Sequence, residues 1–383
     1  MKKPLSTTTN KRQSNFELLR IVAMLMIVCH HFSFHGGFAF TNTEINISRI
    51  WVNLLSMGGK IGVDIYVLIS GFFLINDKEI FFNFKRLLKL WFQIAFYSIA
   101  ITMLFTLCRG DSLGIQTAIK MLLPITFSQW WFASTYFVLY LVHPFINRFL
   151  LNLDKSTYQK FLVLCITCWC IIPTFTTSAY QGNALIWFIT LYSVAAYIRL
   201  YDLNPKAKGK HYVVLWLAFS VLTYLSSIVF DALGKRYEVF SIHDCYFFGQ
   251  EKLSILLVSL CLFMAFKNMT IKDNKLINLV ASATFGVYLI HDNNLIRSFL
   301  WIDVFKNAEW QTSPYLIPYS IIVILLVFVV CTIIDLLRKY ILEKPILKVI
   351  DKSADKIILP FLKIINYAKS IAFGREESKK TKS

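Results

Sequence analysis

The chain has 383 residues, 56% of them hydrophobic and only 16% charged, with a mean hydropathy of +0.57. That composition excludes an ordinary soluble domain and leaves a polytopic membrane protein. The formal net charge of +18 would suggest nucleic acid in a soluble protein, but no nucleic-acid motif accompanies it.

Apolar stretches long enough to span a bilayer fall near 16–36, 57–75, 88–108, 130–150, 161–177, 184–201, 211–231, 250–267, 276–299 and 315–337. They predict an all-α bundle of about ten transmembrane helices. Long alternating strands are absent from the sequence, which argues against a barrel. With the N-terminus inside, 30 of the 40 Lys and Arg residues fall in inner segments. This three-to-one bias follows the positive-inside rule and predicts that both termini are cytoplasmic. The first run carries a basic n-region, but Arg20, His30 and His31 interrupt it and no small-x-small cleavage site follows, so it reads as a retained anchor.

That first run, FELLRIVAMLMIVCHHFSF, holds the most informative pair in the chain. Ionisable side chains are costly at membrane depth and usually functional there. Eleven residues of helix give three turns plus about 20°, so Arg20 and His31 share a face roughly 16 Å apart along the axis. His30 is turned about 80° away from that face. A cation near one interface and an imidazole near the other suit the two ends of a long, charged-headed ligand. The competing structural reading has Arg20 snorkelling to headgroups and His31 packed in the bundle.

Further along, His31, Asp64 and His291 all fall roughly 8 Å below the outer surface of a hydrocarbon layer about 30 Å thick. They predict a convergent polar cluster, with neutral imidazole as a base and Asp64 or Asp292 as its carboxylate partner. Arg20, Lys85, Arg86 and Lys89 gather at the inner mouth, where arginine forks match phosphate oxygens. A positive-inside anchor explains Lys85, Arg86 and Lys89 equally well. Glu17, one turn before Arg20, is placed to pair with it. Trp130, Trp131, Tyr136 and Tyr140 suit sugar stacking, although an interfacial aromatic belt accounts for the tryptophans too. For His143, before Pro144, packing is the simpler reading, and His35 and His243 read as loop histidines at the outer face.

The Cys165-x-x-Cys168-x-Cys170 spacing lacks a second ligand pair, so no zinc site is expected. A disulfide between the outer Cys108 and Cys245 is not indicated. The outer stretch 118–127 reads as a short interfacial or re-entrant helix. The segment 356–373 alternates apolar residues with Lys and reads as an interfacial amphipathic helix on the inner leaflet.

Six motifs in order resemble the membrane-bound acyltransferase-3 family, over residues 15 to 345. They are NFELLRIVAMLMIVCHH with its Arg-x10-His pattern, GVDIYVLISGFFL, FKRLLKLW, WWFASTYFVLYLVHPFIN, ATFGVYLIH ending at His291, and YILEKPILK with Glu343 and Pro345. Phe92 stands near where many members have a proline. The resemblance implies a transmembrane acyltransferase domain over 1–342, followed by a basic cytoplasmic tail over 343–383. It implies O-acyl transfer from cytoplasmic acyl-CoA, usually acetyl-CoA, to a hydroxyl of an extracytoplasmic or lipid-linked glycan, in the plasma membrane. His31 would be the essential histidine, with Asp64 and His291 beside it. Arg20, Lys85, Arg86 and Lys89 would face the CoA phosphates; Glu17, His30, Trp131 and Tyr136 are candidate substrate-binding residues on their own chemistry and position. No permanently bound cofactor and no metal are implied. Many members carry an appended SGNH esterase-like domain, which is not seen in this sequence. The chain would therefore acylate its acceptor directly or work with a separate surface-polymer assembly protein. The alternative from another class is a secondary transporter or flippase, against which the scarcity of intramembrane acids and of paired broken helices weighs.

Overall fold

The computed structural model describes residues 12–40, 45–77, 83–110, 113–202, 209–241, 243–343 and 345. Among these residues every regular element is helical. The main helices are α1 (Ser14–Phe34), α2 (Ile47–Leu74), α3 (Phe84–Arg109), α4 (Ile115–Leu122) and α5 (Trp131–Asn152). They continue with α6 (Lys155–Phe175), α7 (Ala184–Tyr201), α8 (Gly209–Gly234), α9 (Leu253–Lys267), α10 (Lys275–His291) and α11 (Leu316–Arg338). Seven of the described helices, α1, α2, α3, α6, α7, α8 and α11, are long and apolar enough to cross a membrane. α9 and α10 are shorter apolar helices, and α5 carries Pro144 in its interior. The short outer helix expected near 118–127 begins three residues earlier, as α4.

Helix starts follow local side-chain chemistry. Asn46, Asn83 and Asn183 stand before α2, α3 and α7, and each accepts from a backbone N–H in the first turn. Such caps satisfy donors that no earlier carbonyl can reach. Asp154 does the same for α6, accepting from the N–H groups of Ser156 and Thr157. The Thr157 hydroxyl and N–H hold its carboxyl below the usual range. α3 runs unbroken through Phe92, where a proline would have removed a backbone donor.

The bundle is organised around α2, against which α1, α7 and α9 pack. In its most apolar stretch 78% of residues are buried, against 11% for α8. α2 is therefore the protein-facing axis, while Val214, Val221, Leu222 and Val229 of α8 point outward. With no hydrophobic drive between helices in lipid, close approach depends on small residues. α2 supplies them on two faces. A Cβ on Gly59 would lie 2.3 Å from the His30 ring, and one on Gly62 would lie 2.5 Å from the carbonyl oxygen of Ala23. Gly71 sits as tightly on α7, 2.5 Å from the carbonyl oxygen of Tyr192. Leu19, Phe32, Ile61, Leu68, Phe188 and Phe263 fill the core around these contacts.

The chain divides into a unit up to Thr332 and a second from Ile333 onward. Within the second, Arg338 donates from Nε to Asp335 at 2.9 Å, and its Nη1 meets Glu343 at 2.7 Å. All three are buried, and two carboxylates against one guanidinium compensate a charge that could not stand alone. The expected amphipathic segment 356–373 lies outside the described residues. The cysteines are free thiols, Cys108 and Cys245 among them.

Candidate active site

The last turns of α1 present His30 and His31, and His35 follows directly after the helix. At the end of α10 stand His291 and Asp292, 260 residues away in sequence. The two ends meet in a hydrogen-bonded chain. His291 Nδ1 lies 2.6 Å from the carbonyl oxygen of Val287. A carbonyl only accepts, so Nδ1 carries the proton of a neutral His291 and Nε2 keeps the lone pair. His31 Nδ1 lies 2.8 Å from that Nε2 and donates to it. Neutral His31 is thereby held with its own lone pair on Nε2.

His31 Nε2 faces Asp292, whose Oδ1 is 3.6 Å away. The same oxygen pairs with Arg297 at 2.9 Å and stands 3.9 Å from His35 Nε2. Arg297 also donates to the Asp292 carbonyl oxygen at 3.1 Å. The donor atoms of His31, His35 and Asp292 lie within 4.8 Å of one another, a spacing that could hold a metal ion. Arg297 competes for the carboxylate in that role, since its guanidinium already occupies Oδ1.

These groups open onto a cavity of about 250 Å³, lined among others by His30, His31, His35, Lys60, Trp131 and Asp292. Lys60 Nζ sits over the Trp131 indole, 5.2 Å from the ring centre, a cation–π arrangement that aims an amine into the apolar site. Tyr288 and Arg297 complete the polar wall. His291 is fully buried behind His31 and acts on the cavity only through it.

The expected residues thus separate into groups. His31 and His291 come together. His30 reaches the same cavity despite its phase, because the missing side chain at Gly59 leaves room for its ring; its Nδ1 donates to the carbonyl oxygen of Ser56 at 2.7 Å. Asp64 does not join them. It is fully buried and its Oδ1 accepts from Trp187 Nε1 at 3.1 Å and Gln250 Nε2 at 3.3 Å. The carboxylate beside His31 is Asp292, the other of the two expected candidates. Trp131 lines the cavity, whereas the Tyr136 hydroxyl shares a 3.0 Å hydrogen bond with Ser70. His143 donates to the carbonyl oxygen of Tyr140, away from the pair.

At the other end of α1, Arg20 Nη1 donates to Glu17 Oε1 at 2.9 Å. Tyr66, which lines the histidine cavity, donates its hydroxyl to the Arg20 carbonyl oxygen at 3.0 Å. One side chain therefore spans from the cavity wall towards the expected phosphate end. Arg86 pairs with Asp77 at 3.1 Å with most of its side chain exposed, and Lys85 and Lys89 are exposed on the first turns of α3. Lys60, Arg297 and Tyr288 are the site residues that sequence reasoning passed over. Lys60 carried a usable signal, the one cation inside the apolar run GGKIGVDIYVLIS.

A family model described as an acyltransferase domain, Acyl_transf_3, matches residues 13–336. The chain belongs to the acyltransferase-3 family. The match contains α1 to α10 and nearly all of α11, and with them the histidine pair, its cavity and the glycine contacts of α2. No curated protein and no solved structure matches the chain. An acyltransferase-3 domain with seven helices among the described residues able to cross a bilayer makes the protein a multi-pass membrane acyltransferase.

Proposed function

We propose that this acyltransferase moves an acetyl group from cytoplasmic acetyl-CoA to a hydroxyl of an extracytoplasmic or lipid-linked glycan in the plasma membrane. The observation that carries the reading is the His31–His291 hydrogen bond, which leaves a basic Nε2 in a cavity with a lysine amine and the Asp292–Arg297 ion pair. The acceptor hydroxyl attacks the thioester carbonyl carbon while its proton passes to His31 Nε2. The imidazolium so formed faces the Asp292 carboxylate, which offsets its charge. Lys60 donates to the oxyanion as the tetrahedral intermediate forms. Collapse breaks the carbon–sulfur bond, the proton returns from His31 to the departing thiolate, and the products are an acetyl ester and free CoA. The direct test is release of CoA from acetyl-CoA by the purified protein in the presence of membrane glycan. Release that requires His31 sustains the reading, whereas a transporter or an idle subunit would show no turnover.

Ten spans with both termini cytoplasmic form part of the proposal, supported by the 30-to-10 split of basic residues. A reporter fused after residue 380 is expected to read cytoplasmic. An external C-terminus would mean a miscounted helix, or, with ten spans kept, would invert the depth of His31 and turn its cavity towards the wrong compartment.

Arg20, held by Glu17 and with a third of its side chain exposed, is proposed to fork onto a CoA phosphate. Lys85, Arg86 and Lys89 would add long-range attraction at the same mouth. Arg20→Lys keeps the charge but loses the two-pronged geometry. It is expected to weaken acetyl-CoA binding about tenfold, at unchanged protein level, in an equilibrium binding assay. Unchanged affinity with loss of inserted protein would make the Arg20–Glu17 pair a stabilising contact of the fold alone.

A further inference from the structure

A second cavity of about 270 Å³ lies beside Asp64's partners, lined among others by Trp169, Asn183, Trp187, Gln250 and Glu251. Its walls are made with care. Trp169 stands in a π-helical turn, Thr167–Ile171, inside α6, a distortion that recurs at functional sites. The neighbouring loop places Tyr180 (φ 44°) and Gln181 (φ 57°) consecutively in the left-handed region, a conformation costly for side chains with a Cβ. Gly182 then passes so near that a Cβ on it would lie 2.8 Å from the carbonyl oxygen of Ala179 and 3.4 Å from Trp169. The Trp187 N–H and the Gln250 amide are both tied back to the same oxygen of Asp64. Asp64 Oδ2 has no hydrogen-bond partner among the described residues. Asp64 is thus the anchor of two walls of this cavity.

The two cavities share helices. Lys60 lines the first, and Asp64, one turn further along α2, holds the walls of the second. On α7, Trp187 faces the second while Phe188 packs on Trp131 of the first, with ring centres 6.2 Å apart.

We infer that the second cavity binds a pyranose ring of the acceptor glycan, next to the ring whose hydroxyl is acylated. This rests on the acyl-transfer reading above. A pyranose has C–H faces that stack on indoles and a rim of hydroxyls that donate to and accept from amide and carboxylate groups. Two tryptophans, an amide, an asparagine and a glutamate supply that combination. Glu251, 42% exposed and 3.6 Å from Lys252 Nζ, offers a carboxylate that accepts from sugar hydroxyls. In the proposed topology the cavity is formed by the loops after α6 and after α8, both on the outer side, where the acceptor arrives.

The test compares Trp169→Ala, Gln250→Ala, Trp169→Phe and His31→Ala in cells that carry the chain as their source of the activity. Acetate released from the cell-surface glycan by mild alkali is measured and normalised to membrane-inserted protein. In parallel, acetyl-CoA is added to each purified variant and the shift in thermal unfolding is recorded. The two alanine variants are expected to lose ester acetate about tenfold, roughly what one stacked aromatic supplies at Trp169 and one hydrogen bond at Gln250, with the acetyl-CoA shift unchanged. Trp169→Phe, which keeps a stacking face, should retain most of the acetate. Full acetate in both alanine variants alongside its loss in His31→Ala overturns the subsite and leaves acyl transfer standing. Loss of acetate together with loss of the acetyl-CoA shift also overturns it, because the cavity would then be a feature of the fold only. Full acetate in His31→Ala removes the acyl-transfer reading itself.

Discussion

His31→Ala is expected to lower acyl transfer by about 10²–10⁴-fold, while His30→Ala keeps most of it. The two residues are adjacent and both reach the cavity, so proximity does not separate them. Their hydrogen bonds do. His31 Nδ1 is committed to His291 Nε2, and its own Nε2 faces Asp292, which steadies a proton received there. His30 donates to the Ser56 carbonyl oxygen, and Asp292 is not among its partners. Its ring instead fills the space above Gly59. Initial rates of CoA release for both variants, normalised to inserted protein, decide the matter. An inactive His30→Ala beside an active His31→Ala would assign the base to the wrong histidine.

Lys60→Met should lower the maximal rate about 10²–10³-fold with little change in the acetyl-CoA concentration needed for half-saturation. Methionine has similar length and apolar volume, so the Trp131 face stays covered while the N–H donors disappear. An interaction made mainly with the developing oxyanion is lost from the rate and not from ground-state binding. A variant with a normal rate and weakened acetyl-CoA binding would instead place Lys60 on the donor's anionic groups.

The Arg20–His31 relation was legible because both residues sit on one uninterrupted helix, whose phase is fixed by 3.6 residues per turn. The bundle was legible from its apolar runs, and the glycine-rich segment of α2 from its own letters. What failed to show was azimuth. Depth put Asp64 level with His31, but depth is one coordinate, and α2 turns that carboxylate onto Trp187 of α7 and Gln250 of the turn before α9. The same depth argument brought His31 and His291 together and left Asp64 and Asp292 as alternatives, and the choice between them depends on which helices become neighbours. Lys60 is the exception, since the rule that singled out Arg20 applied equally to it.

The close contact of α1 and α2 has a genetic consequence. Gly59 and Gly62 carry no reacting group, yet they set how near the helix bearing His31 lies to the helix bearing Lys60. Every amino-acid replacement at a glycine codon introduces at least a Cβ, and at these two positions that atom would meet a ring or a carbonyl oxygen within 2.5 Å. Conservative exchanges, the usual route of neutral drift, do not exist there. Inactivating alleles would therefore gather at chemically inert codons as readily as at the histidines, and reversion would require the glycine itself or a second change across the helix pair.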